Sequence, residues 1–113
     1  MVVKSYIPER GDLVWVDFGP VQKGHEQAGR RPSLVISPSL YNGKSGMVLL
    51  CPITSQAKGY AFEILLDHTL VKGVILADQI RTFSWKERGI KFIDHCNEGV
   101  VVAVQENLLA LIQ

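Results

Sequence analysis

Three polar stretches carry the residue types able to do chemistry: GHEQAGRRP (24–32), PITSQAKGY (52–60) and LADQIRTFSW (76–85). The first supplies two groups that exchange protons near neutral pH or below, His25 and Glu26, together with two fixed positive charges, Arg30 and Arg31. The second places Thr54, Ser55, Gln56 and Lys58 where an apolar run ends, and the third interrupts an apolar run with Asp78 and Gln79. Brought together, such groups suit a phosphodiester. Cleaving RNA needs a base for the 2′-hydroxyl proton, positive charge around the crowded phosphorus, and a donor for the departing 5′ oxygen. Glu26 or His25 is the candidate base, Arg31 the charge stabiliser and Thr54 a donor to a phosphate oxygen. Taken singly, each stretch also reads as an ordinary solvated turn, with Glu26 pairing an arginine and Asp78 satisfied at a strand end. Only convergence separates the two readings.

The elements that must do the positioning are short. Gly24 and Gly29 permit backbone angles other residues avoid, and Arg31, standing before Pro32, is steered into an extended conformation at a strand entrance. The runs DLVWVDF (12–18), PSLVIS (32–37), MVLLCPIT (47–54), FEILL (62–66) and GVILADQIR (73–81) are strand-length and rich in Val, Ile and Leu. In the first, Leu13, Trp15 and Asp17 alternate with Val14, Val16 and Phe18, and two largely apolar faces predict a central strand. SPSLYNGKSG reads as a turn-rich connector with one helical turn and a loop tip at YNG. A P-loop through Lys44 and Ser45 is ruled out because its first glycine would fall on Pro38. Towards the end, Asn97 can cap a helix, Glu98 suits its first turn, and Val101, Val104, Leu108, Leu111 and Ile112 recur at helical spacing. The expected architecture is mainly β (α+β): a small, curled antiparallel sheet with short connecting helices and a helix docked at the C-terminus, with residues 1–113 forming one domain.

Composition narrows the functional classes. Of the 113 residues, 47% are hydrophobic and 20% charged, which excludes a disordered chain. The net charge is only +1, so any nucleic-acid site must be a local patch rather than a globally basic surface. Cys51 and Cys96 lack CxxC spacing and a histidine at finger distance, so neither a metal nor another cofactor is expected. Cys51, inside MVLLCPI, reads as a small buried hydrophobe and Cys96 as incidental. No signal-peptide pattern opens the chain and no run reaches the ~18 apolar residues of a membrane span, so a cytoplasmic protein is expected.

In order along nearly the whole chain, GDLVWVDFGP, GHEQAGRRP, VISPSLYN, PITSQAKGY, GVILADQIRTFSW and the RG pair at Arg88–Gly89 closely resemble the MazF branch of the MazF/PemK toxin family. The resemblance implies an SH3-like β-barrel, usually a homodimer, that acts without metal as an mRNA interferase of a type II toxin–antitoxin system. It would cut single-stranded RNA at short sequences by 2′-hydroxyl attack, leaving a 2′,3′-cyclic phosphate and a 5′-hydroxyl. It further implies Arg31 and Thr54 as the principal catalytic pair, assisted by Glu26, and a MazE-like antitoxin whose flexible acidic segment occupies the RNA groove. Arg31, protonated far above neutral pH, fits charge stabilisation rather than the role of base, which stays open. His25 matches a histidine of PemK-like members. Those members also carry an arginine where this chain has Leu76, a departure that argues for MazF-type chemistry and assigns Asp78 to binding or architecture.

The RNA-facing set is then Phe18, His25, Gln27, Ser55, Gln56, Lys58, Gln79 and Arg81: unstacked bases rest on an aromatic face while amides and hydroxyls read their edges. Phe18 also reads as core and Lys58 as a solvated loop charge; Trp15 and Trp85 read as packing or dimer contacts. Two rivals share the scaffold. A CcdB-like gyrase-targeting toxin depends on a tryptophan in its C-terminal helix, whereas this chain ends NLLALIQ; an inactive SH3-like binding module would not need Glu26, Arg31 and Thr54.

Overall fold

A computed structural model describes residues 6–19 and 29–113. Within them the chain forms seven strands, β1 (Asp12–Asp17), β2 (Arg30–Val35), β3 (Val48–Thr54), β4 (Glu63–Leu66), β5 (Gly73–Leu76), β6 (Arg81–Phe83) and β7 (Lys91–His95). Helix α1 (Ser39–Ser45) joins β2 to β3, α2 (Trp85–Arg88) joins β6 to β7, and α3 (Glu98–Ile112) closes the order. The strands pair antiparallel in the order β4–β5–β3–β2–β1–β7, with β6 also on β3. The path is a curled sheet that does not close into a barrel.

β1 is central, as its two apolar faces predict, with β2 on one side and β7 on the other. Each face builds its own core. Leu13, Leu34, Cys51, Ile53 and Ile75 pack under Val101 and Val104 of α3, while Val14, Val16, Phe18, Val35, Leu50 and Phe83 cluster separately with Trp85. The opposite sides of one sheet are therefore both dry, and α3 covers only one of them.

β3 curls the sheet by changing neighbours. Its start, Val48–Leu50, pairs with β6, and its end, Ile53 and Thr54, pairs with β5. Pro52, which has no N–H to donate, stands where one neighbour gives way to the other. The run expected as a single strand over 73–81 is consequently broken: β5 ends at Leu76, Ala77–Gln79 form a 3₁₀ turn, and β6 begins at Arg81.

Two local expectations need correction. YNG is not a loop tip, because Asn42 is fully buried inside α1, accepting from Ser37 Oγ and donating to the carbonyls of Pro8 (2.8 Å) and Ser37 (3.0 Å). The turn comes at Gly46, whose left-handed backbone (φ 72°) ends the helix. Nor is Cys96 incidental: it is 1% exposed and packs in the same cluster as Cys51, both as free thiols. The terminal helix opens as its sequence predicts, with the Asn97 side chain accepting from Val100 N at 2.9 Å. Trp85 is a packing residue whose indole N–H donates to Asn42 and Met47 carbonyls.

Candidate nucleic-acid interface

Strand register assembles the site. β2 and β3 pair Ser33 with Pro52, Leu34 with Cys51 and Val35 with Leu50. The pairing ends at Ser33 and Pro52; Arg31 and Thr54, each two residues beyond, keep the same alternation and so lie on the same face of the sheet. That face is the one carrying Val14, Val16, Leu50 and Phe83, away from α3: Arg31 lies opposite Val16 in β1, and Arg81 opposite Leu50 in β3. Arg31, Thr54 and Arg81 are all half-buried on it. Residues from three strands thus share one face, though the sequence separates them by as many as fifty residues.

Thr54 and Arg81 are held by different devices. Thr54 is fixed by pairing with Val74 of β5, and its Oγ1 accepts from Gln56 N at 3.2 Å, which leaves the hydroxyl proton free to donate outward. The Arg81 guanidinium lies over the Phe18 ring, 4.7 Å from its centroid, and Phe18 meets Phe83 edge-on at 6.2 Å. Arg88 continues this stack, lying 4.4 Å over Phe83 and donating to the Asp17 carbonyl at 2.6 Å. Just before β2, Phe18 N donates to Gly29 O (2.9 Å) and Gly29 N to Gly19 O (2.8 Å), with Gly29 in a left-handed conformation (φ 71°).

Beyond Thr54 the chain leaves the ladder, and Ser55, Gln56 and Lys58 are exposed on the connection to β4. The Glu63 carboxylate grips it, accepting from Lys58 N at 3.1 Å and Gly59 N at 3.0 Å. Elsewhere, a hollow of about 260 Å³ beside α3 is lined by Arg10, His95, Glu98 and Gln105, where buried Asp12 holds His95 Nδ1 at 2.8 Å. Among the described residues, no three His, Cys, Asp or Glu side chains gather as a metal-holding group, and no helix is long and apolar enough to cross a membrane.

Comparison with known proteins places the chain in a family. A family model described as the PemK-like, MazF-like toxin of type II toxin–antitoxin systems matches residues 9–112. The chain belongs to this toxin family. It is 52% identical over 88 residues to the endoribonuclease toxin MazF of Escherichia coli K12, covering 78% of each chain. It is also 36% identical to the endoribonuclease toxin ChpB of the same strain over all of both chains. Among solved structures, MazF of Deinococcus radiodurans superposes with a TM-score of 0.88 at 46% identity, covering 96% of this chain and 98% of that one. A MazE–MazF crystal structure from the same organism gives 0.83 at 41%, with 96% and 97% covered.

In this MazF-like toxin the register joins Arg31, Thr54 and Arg81 on one face, and Ser55, Gln56 and Lys58 follow directly from Thr54. His25, Glu26 and Gln27 lie outside the described residues. Gln79 is half-buried at the end of the 3₁₀ turn, two residues before Arg81, and Asp78 is exposed. The stacking role expected of Phe18 needs correction: its ring is 3% exposed, packed in the core and covered by Arg81, so it can back a guanidinium but offers no open face to a base. Sequence reading gave no role to Arg88, Glu63 or Gly73. Arg88 stood in the noted RG pair; Glu63 acts on the backbone of Lys58 and Gly59, and Gly73 through its close approach to the Thr54 carbonyl.

Proposed function

We propose that this endoribonuclease toxin cuts single-stranded messenger RNA at short sequences in the cytoplasm, without a metal ion, by attack of the RNA's own 2′-hydroxyl. The observation that carries the reading is that Arg31 of β2 and Thr54 of β3, each two residues beyond the Ser33–Pro52 pair, lie on the same face of the sheet. A base, Glu26 or His25, takes the 2′-hydroxyl proton; the 2′ oxygen bonds to the adjacent phosphorus, and the bond to the 5′ oxygen breaks. Negative charge growing on the phosphate oxygens meets the fixed guanidinium of Arg31 and the free hydroxyl proton of Thr54. The departing 5′ oxygen takes up a proton, leaving 2′,3′-cyclic phosphate and 5′-hydroxyl ends. Arg81, Lys58, Ser55 and Gln56 hold and read the flanking strand, with Gln27 and Gln79 at its margins.

A cationic face shaped for a flexible strand also suits a flexible acidic peptide, and we assign to it the acidic segment of a MazE-like antitoxin, which orders only on binding. The Deinococcus radiodurans neighbour is described as a MazE–MazF structure. The active form in this reading is a homodimer.

The test is incubation of purified protein with a long single-stranded RNA in EDTA, mapping cut positions and end groups beside Arg31→Ala and Thr54→Ala. Recurrent short cut sites with cyclic-phosphate ends, and rates about 10²–10³ lower in each folded variant, are expected from removing one transition-state donor. Undiminished cutting by either variant removes that residue from the mechanism. No cutting by the folded wild type overturns the ribonuclease chemistry.

A further inference from the structure

We propose that Glu63 is a positioning residue for RNA recognition: its carboxylate clasps the connection after Thr54 into the shape that presents Gln56 and Lys58 to the substrate, without touching RNA itself. The inference rests on the ribonuclease reading and adds to it the part that sets sequence selectivity.

Both carboxylate oxygens lie 3.1 Å from Lys58 N, and Oε1 also accepts from Gly59 N at 3.0 Å. Successive backbone N–H groups converging in this way form a concavity suited to an anion, and the left-handed backbone of Gly59 (φ 79°) shapes it. A Cβ on Gly59 would meet nothing within 4 Å, so it is the conformation that asks for glycine there. The clasp is anchored rather than floating. Glu63 is the first residue of β4, opposite Leu76 of β5; its own N–H donates to Tyr60 O at 3.1 Å, and Phe62 O accepts from Ala77 N at 3.1 Å. At the other end, Gln56 N donates to Thr54 Oγ1. The connection is therefore fastened at both ends by its backbone, while the side chains of Ser55, Gln56 and Lys58 remain exposed.

Thr54 does not depend on the clasp, because its place is set by pairing with Val74. Loosening the clasp should weaken and blur RNA reading while sparing the chemical step. The chemistry of the grip also separates two substitutions. Glu63→Ala removes every acceptor. Glu63→Gln keeps Oε1, which by itself spans Lys58 N and Gly59 N, but loses the negative charge and turns Oε2, 3.1 Å from Lys58 N, into a donor.

The experiment combines steady-state cleavage, cut-site mapping and amide hydrogen exchange on the full chain. For Glu63→Ala we expect KM to rise about tenfold, as the reading shape becomes a minor population, with kcat within about threefold of wild type. Cuts should appear outside the preferred sequence, and the Lys58 and Gly59 amides should lose protection. Glu63→Gln should restore part of the KM, the cut-site pattern and the protection, Gly59 more than Lys58. Wild-type KM and cut sites in Glu63→Ala, a fall in kcat at unchanged KM, amides still protected without the carboxylate, or a Gln variant as impaired as the Ala variant would each overturn the proposal. Protected amides in a wild-type protein that cuts no RNA would instead show the clasp intact and the ribonuclease reading wrong.

Discussion

Gly73 passes so close to Thr54 that a Cβ on it would stand 2.3 Å from the Thr54 carbonyl oxygen, at a backbone angle (φ 150°) that side chains rarely adopt. The first residue of β5 therefore fixes the end of β3, where the strand delivers its hydroxyl. Gly73→Ala must push β5 off Thr54. It should cost about 2–4 kcal/mol in chemical denaturation from overpacking and backbone strain together. Cleavage by the fraction still folded should fall as well, which a surface substitution such as Lys72→Ala would not cause.

Arg81 and Phe18 form one unit with divided labour. Phe18→Ala removes a ring that is 3% exposed and should cost about 3–5 kcal/mol of stability. Arg81→Ala should change stability by no more than about 1 kcal/mol, the worth of an accessible cation–π contact. Its effect should lie in RNA binding, with a salt dependence shallower by about 0.7 in log–log slope for a lost single-strand phosphate contact. Binding titrations at several salt concentrations, set beside denaturation curves, separate the two roles.

Ser33 lies on the Arg31 face of β2, fully buried, with an Oγ that has no hydrogen-bond partner among the described residues. Burying an unsatisfied hydroxyl costs about 1–3 kcal/mol. Ser33→Ala should therefore raise the denaturant midpoint, by the equivalent of about 1 kcal/mol, at unchanged slope.

The two thiols should be silent near neutral pH. Burial, aided by the charge of Asp78, pushes Cys51 up to about 12, and burial pushes Cys96 up to about 11, from an ordinary value of 9.0. Because folding favours the neutral thiol, the stability linked to each is complete below pH 9 and declines as pH rises from there through 11 to 12. Iodoacetamide at pH 8 should label neither cysteine until denaturant is added, as read by mass spectrometry. Stability should fall between pH 9 and 11, and fall less steeply in Cys51→Ala.

Much of this arrangement was legible before any coordinates, because the relevant signals are local. Alternation identified β1 as central, Pro32 fixed Arg31 as extended, and Asn97 announced α3. β6 escaped because three residues carry no periodicity, and β7 because KFIDH is an edge strand with Phe92 and His95 exposed. Asn42 misled because a buried asparagine with three hydrogen bonds has the same letter as one at a turn. That Arg31 and Thr54 share a face depends on how β2 and β3 pair, which no local pattern encodes; the Glu63 grip spans only four to five residues, but a carboxylate bonded to backbone N–H groups has no residue signature.

The split between ladder and loop has an evolutionary corollary. Thr54 is the last residue of a paired strand, while Ser55 to Tyr60 belong to a connection clasped from a neighbouring strand. Substitutions in that connection can accumulate without disturbing the hydrogen-bonded frame that carries Thr54 and Arg31. On the mechanism proposed above, descendants of one ancestral toxin come to cut at different sequences while inheriting the same cutting step, and the lineage explores new vocabularies at little risk to its grammar.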